Sequence, residues 1–184
     1  VNPYAVDTSN VVYDFADDHA TALTSSLERL ARHLRLKDGL LHTQFILSEH
    51  GPMIVEVSRR CPGDLYPLLI EYSTGFRFAA AYAAAFAGYA FETRPSERRH
   101  VLRHTVTADS RVEYGGLVFA GAARVIAFYP IARMGEELLP RQGSRTGLLF
   151  TEYASAAALE DAYASIIARE NYHVRGALKA TNSD

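Results

Sequence analysis

The sequence predicts an α+β chain, with an antiparallel β-sheet and flanking helices in its first half and a small antiparallel region in its second. Three observations predict it. Apolar residues recur at helical spacing over residues 17–36. Two alternating, strand-like runs face each other across a turn-rich gap at residues 48–52. Beyond residue 100, short strand-like runs are broken by Gly and Pro before a last helical stretch. Two domains are expected, 1–92 and 93–184, joined in the Pro95-bearing loop from Tyr89 to Arg99.

The elements follow in order. Asp17 or Asp18 is the expected cap of a helix whose apolar positions are Ala20, Leu23, Leu27, Leu30, Ala31 and Leu34, ending before Lys37-Asp38-Gly39. Leu40–Leu47 and Met53–Ser58 read as a β-hairpin across Ser48-Glu49-His50-Gly51-Pro52. Asp64 is the expected cap of a second helix through Leu65, Leu68, Leu69 and Tyr72. Pro67 is tolerated in its first turn, and it stops near Gly75. Phe76–Ala87 is apolar nearly all round, which predicts a buried helix closed by Gly88. Val101–Ala108, Gly116–Ala120, Ala123–Phe128 and Thr146–Tyr153 predict a small antiparallel sheet. Ser155 caps a helix through Leu159, Ala162, Tyr163, Ile166 and Ile167, and Tyr172–Val174 returns as a strand.

Composition narrows the function classes. A formal net charge of −2 supplies no field that would draw nucleic acid or an anionic membrane, so neither is an expected partner. No apolar run reaches the roughly 18–20 residues of a bilayer span. One cysteine, Cys61, forms no internal disulfide, which points to a reducing cytoplasm. Lys37 and Lys179 are the only lysines, leaving almost no candidate for a buried catalytic amine. The chain opens Val1-Asn2-Pro3 without a methionine, and the expectation is that it derives from something longer.

Side chains alternate across a strand, so a turn centred near His50 sets Gln44 opposite Glu56 and His42 opposite Ser58 on one sheet face. A carboxylate, an amide and a hydroxyl converging there make a hard oxygen set suited to Mg²⁺ or Mn²⁺ rather than zinc. Arg59 and Arg60 follow at once, within reach of a phosphoryl or carboxylate group. Against this stands the common case in which such a polar face is simply wet. His42 alone reads as a structural residue, and Cys61 as a loop residue with no histidine placed to activate it.

The stretch Asp38-Gly39-Leu40-Leu41-His42-Thr43-Gln44-Phe45, followed after a turn by Ile54-Val55-Glu56-Val57-Ser58-Arg59-Arg60 and Gly63-Asp64, resembles the late active-site segment of the ATP-grasp superfamily. There a strand with His-x-Glu or His-x-Gln precedes one bearing Glu-x-Asn-x-Arg. The resemblance is strong over Asp17–Gly88 and loose to Val174, where the chain is similar to the C-terminal subdomain of biotin-carboxylase-like and amino-acid-ligase members. It implies that residues 1–92 are the C-terminal part of an ATP-grasp catalytic domain and 93–184 a small α+β C-terminal subdomain.

By the same resemblance, Gln44 and Glu56 bind metals bridging ATP phosphates, Ser58 stands where the family has its metal-binding Asn, and Arg60 stabilises the transferred phosphoryl group. Ser58 departs from the pattern, since a hydroxyl reaches less far than an amide. Gln44 departs less, because carbamoyl phosphate synthetases similarly use Gln there.

The implied parent is an ATP-dependent carboxylate–amine or related ligase acting through an acyl phosphate, with this chain alone inactive. Its cofactors are ATP and Mg²⁺ or Mn²⁺, and its partners are the missing N-terminal portion of the enzyme and a small carboxylate substrate. A homodimer is one option for its assembly. The loop Arg59–Asp64, Arg103 and Arg124 are candidates to face the substrate carboxylate. The alternative is a non-catalytic ATP-grasp-like binding or oligomerisation domain, signalled by Ser58.

Overall fold

The computed structural model describes residues 6–92 and 94–177, so Lys179 lies outside the described residues. The chain divides into two compact units, Val12–Glu97 and Val1–Val11 with Arg98–Asp184. The division falls a few residues beyond the expected junction at 92/93. Backbone N–H groups of Ser96 and Glu97 both donate to the Thr74 carbonyl at 2.9 Å, which ties the end of the loop to the first unit.

In the Val12–Glu97 unit, α1 spans Asp17–His33 and packs against the hairpin strand β3. Its N-cap is Ala16, with no side-chain cap bond; Asp17 and Asp18 sit in the first turn, where their charge complements the helix dipole instead. The hairpin is β2 (His42–Ser48) and β3 (Gly51–Ser58). Helix α2 spans Tyr66–Thr74 and starts from Leu65 rather than from an Asp64 side-chain cap. Asp64 and Leu65 are both left-handed, with φ of 53° and 57°.

Helix α3 spans Phe78–Ala87 and, like α2, closes on a left-handed glycine, Gly88 here and Gly75 there. The expectation that α3 is buried all round fails. Phe78 and Ala81 are buried, while Phe86 is 71% exposed, so one apolar face of α3 is uncovered in this unit. Leu69, Phe78 and Ala81 form the buried apolar part, beside the backbone carbonyl of Ser73, which accepts from the Tyr13 hydroxyl at 2.6 Å.

The second unit holds two antiparallel sheets where the sequence predicts one. The first has the order β1–β4–β8–β6, built from Thr8–Asn10, His100–Thr107, Arg145–Tyr153 and Arg124–Pro130. The second has the order β7–β5–β9, from Glu137–Leu138, Val112–Phe119 and Tyr172–Gly176. Helix α4 (Ala156–Ile167) starts as expected, with the Ser155 hydroxyl accepting from the Ala158 N–H at 3.1 Å. Its Leu159 and Ile166 pack on Leu102 of the central strand β4. Among the described residues no helix is long and apolar enough to cross a membrane.

Strand β4 is buried from Val101 to Thr107, and several of its polar side chains bond within the unit, although Arg103 Nη2 makes no hydrogen bond. Arg103, fully buried, donates to Thr105 Oγ1 at 3.0 Å and the Val6 carbonyl at 3.3 Å. That burial removes it as a candidate for a substrate carboxylate. His104 bridges two strands, with Nδ1 3.1 Å from Thr8 Oγ1 and Nε2 3.1 Å from the Tyr172 hydroxyl. The Tyr172 oxygen also accepts the Thr107 N–H at 3.3 Å, which ties the β4 backbone to the same hydroxyl. Burial, then the guanidinium charges of Arg169 and Arg103, hold the His104 pKa down at about 3. His104 is therefore neutral, and its 3.8 Å approach to Asp7 is a polar contact rather than an ion pair.

Candidate functional site

The hairpin sets Gln44 opposite Glu56 and His42 opposite Ser58, in the register the alternation predicts. The route to that register differs. The turn is a tight one, Glu49-His50, with Ser48 opposite Gly51, which by itself would pair Gln44 with Val55. A bulge between Gln44 and Phe45 absorbs Val55 as an extra residue of β3 and restores the pairing at Gln44 and Glu56. Partners on one rung project to one face, with Cβ atoms about 4.5–5.5 Å apart. Gln44 and Glu56 are both exposed there.

Ser58 is placed differently. Its Oγ is sealed from solvent and has no hydrogen-bond partner, as has that of Thr43 on the opposite strand. An orphaned oxygen is uncommon and fits a missing ligand, but a sealed one meets an ion only if neighbouring groups shift. Arg60 lies in the loop after β3, exposed, with its guanidinium donating to the Cys61 carbonyl at 3.2 Å. Arg59 turns back instead and donates to the Asp38 carbonyl at 3.0 Å. Its Nη2 lies 2.6 Å from where a side chain on Gly39 would begin, and Gly39 has a φ of 136°, so a residue with a Cβ would be strained and would dislodge the arginine.

The arrangement thus brings Gln44 and Glu56 together as accessible hard oxygen donors, adequate for magnesium when substrate phosphates complete its shell. Among the described residues no cluster of three or more His, Cys, Asp or Glu side chains gathers as a metal cage.

The side chains around the pair are apolar and exposed. Phe45, Ile46, Leu47, Met53, Ile54 and Val55 are 36–62% exposed. Among the described residues the sheet has two strands, so each also presents an unpaired edge. Sequence reasoning did not foresee this exposure, because alternation says which residues share a face but not whether anything covers it.

The chain matches no protein-family model and no curated protein by sequence. By structure it is similar to phosphoribosylglycinamide synthetase from Anaerococcus prevotii, at a TM-score of 0.72 and 14% identity over 92% of this chain and 45% of that one. It is also similar to L-amino acid ligase from Bacillus licheniformis, at 0.73 and 17% over 94% and 46%. A third likeness is to the biotin carboxylase domain dimer of Hydrogenobacter thermophilus 2-oxoglutarate carboxylase, in complex with MgADP, ADP and bicarbonate, at 0.58 and 16% over 89% and 38%. These are ATP-grasp enzymes, and the chain shares their fold. It spans less than half the length of each of these three structures.

Proposed function

We propose that this chain is the C-terminal part of an ATP-dependent carboxylate ligase, in which Gln44 and Glu56 hold the divalent cation that accompanies ATP and Arg60 steadies the transferred phosphoryl group. The observation that carries the reading is the exposed Gln44–Glu56 rung with Arg60 just past the strand end. A bound Mg²⁺ or Mn²⁺ would neutralise charge on the nucleotide phosphates. The carboxylate oxygen of the substrate attacks the γ-phosphorus and ADP leaves; an amine or similar nucleophile then attacks the acyl carbon and phosphate leaves. In such transfers a protein mainly positions groups and offsets charge, which is what Glu56 and Arg60 are suited to do.

The missing N-terminal portion of the enzyme is the natural cover for the open hairpin edges and apolar side chains, and it would contribute the nucleotide-gripping residues. A homodimer remains an option for the whole, and the single Cys61 suits a cytoplasmic setting.

The test is Glu56→Ala in the intact enzyme, with turnover expected to fall roughly 100-fold or more. Activity within about threefold of the parent, under roughly 0.7 kcal/mol, would remove Glu56 as a metal anchor.

A second reading, a non-catalytic relative used for binding or oligomerisation, is favoured by one observation, the sealed Oγ of Ser58. Ser58→Asn separates the two. A catalytic parent tolerates or gains from the amide, whereas a remnant gives no metal-dependent nucleotide binding with either residue.

A further inference from the structure

Within the Val12–Glu97 unit, the loop that joins α1 to β2 and the segment that follows α3 line a groove of about 620 Å³, within the usual range for small-molecule sites. Its apolar lining comes from Ala31 of α1, Leu41 just before β2, and Ala84 and Ala85 of α3. Two cations, Lys37 and Arg59, and two aromatic rings, Tyr89 and Phe91, line it as well.

Two glycines shape this lining. Gly88 closes α3 with a φ of 73°, so residues 89–91 leave the helix axis and run along the groove. Gly39 leaves room for Arg59, which is held by one bond from Nη2 to the Asp38 carbonyl at 3.0 Å. That bond orients the guanidinium and leaves most of its five N–H donors unspent. Lys37 is exposed and makes no hydrogen bond or ion pair among the described residues. The Asp38 carboxylate offsets one of the two positive charges, and the groove keeps the other. Tyr89 and Phe91 stand 73% and 44% exposed.

The groove is set apart from the Gln44–Glu56 rung. Leu41 and Arg59 each stand an odd number of residues from that rung, so alternation turns them to the opposite side of the hairpin. A ligand in the groove is therefore not the nucleotide of the proposed reaction.

We infer that this groove binds a phosphorylated aromatic compound, with its phosphoryl oxygens on Lys37 and Arg59 and its ring against Tyr89 and Phe91. A tetrahedral dianion has oxygens enough to meet an ammonium and a guanidinium from different directions, and the exposed rings offer the edge or face contact that an aromatic body takes. The inference does not depend on the hairpin reading, since it is measured without nucleotide or metal.

The probe is phenyl phosphate, titrated at constant ionic strength into the ¹⁵N-labelled chain while the backbone amides of Gly39 and Phe91 are followed. Both are expected to shift saturably. Inorganic phosphate lacks the ring and phenol lacks the charge, and each is expected to bind about tenfold more weakly or worse. Lys37→Gln, which removes no contact of the folded chain, should weaken phenyl phosphate about tenfold, and Arg60→Gln should leave it unchanged. The inference is overturned if neither amide shifts saturably, if inorganic phosphate matches phenyl phosphate, or if phenol does. It also fails if Arg60→Gln weakens the probe and Lys37→Gln does not, since the ligand would then sit on the polar face of the hairpin.

Discussion

Strand β4 and the hairpin strands β2 and β3 are comparably rich in apolar residues yet end in opposite circumstances. β4 is flanked on both edges by β1 and β8 and covered by α4, so Val101–Thr107 is buried and even Arg103 and His104 find internal partners. β2 and β3 have only each other, and their apolar side chains stand 36–62% exposed. The contrast teaches which region is covered by its own neighbours. The second unit is a covered scaffold, and the hairpin an exposed apolar surface of the kind that marks interaction faces.

The largest expected effect sharpens the closed side of the comparison through pH. His104 has a folded pKa of about 3 against an ordinary value of 6.5. The unfolded chain takes the proton first as pH falls, so stability declines between about pH 6.5 and 3, by up to roughly 5 kcal/mol at 1.36 kcal/mol per unit. Asp7, whose pKa burial raises, works the other way, because there the folded state takes the proton first. The check is therefore the difference between the parent and His104→Gln in denaturant midpoints across that range, and a parallel pair of curves would refute it.

Phe150→Ala, at a fully buried position of β8, should cost about 3–5 kcal/mol. Ser155→Ala should cost about 1 kcal/mol by removing the cap of α4, measured as a fall in thermal midpoint. The smallest effect belongs to the open side. Met53→Lys, at a position 58% exposed, should change the stability of this chain by no more than about 0.5 kcal/mol while raising its solubility. A loss as large as that of Phe150→Ala would mean that the hairpin face is packed after all, and the contrast would collapse.

Much of the fold was legible because its signals are local. The helical stripe of α1, the alternation of the hairpin and the Ser155 cap each lie within a short window, and all three elements form where expected. Elements defined by distant partners were not legible. Thr8–Asn10 is three residues long and becomes a strand only because β4, far along the chain, pairs with it; Glu137–Leu138 depends on β5 in the same way. The pairing of Gln44 with Glu56 was anticipated for a turn that is not the one formed, and a bulge supplied the missing residue. The exposed face of α3 shows the limit of composition, which reports how apolar a helix is but not whether a neighbour is present. Arg99 and Arg124 both bond Glu152 from other parts of the chain, a grouping that no periodicity in the sequence links.

The pairing of β1 with β4 has a consequence for how the chain acquires its structure. The whole of Val12–Glu97 is strung between two adjacent strands of one sheet. During synthesis Thr8–Asn10 must wait, without its partner, until β4 has left the ribosome, and closing so long an intervening loop carries an entropic penalty that grows only slowly with its length. The order of events is thus imposed by connectivity: the inserted unit has time to organise first, and the sheet that begins before it is completed last.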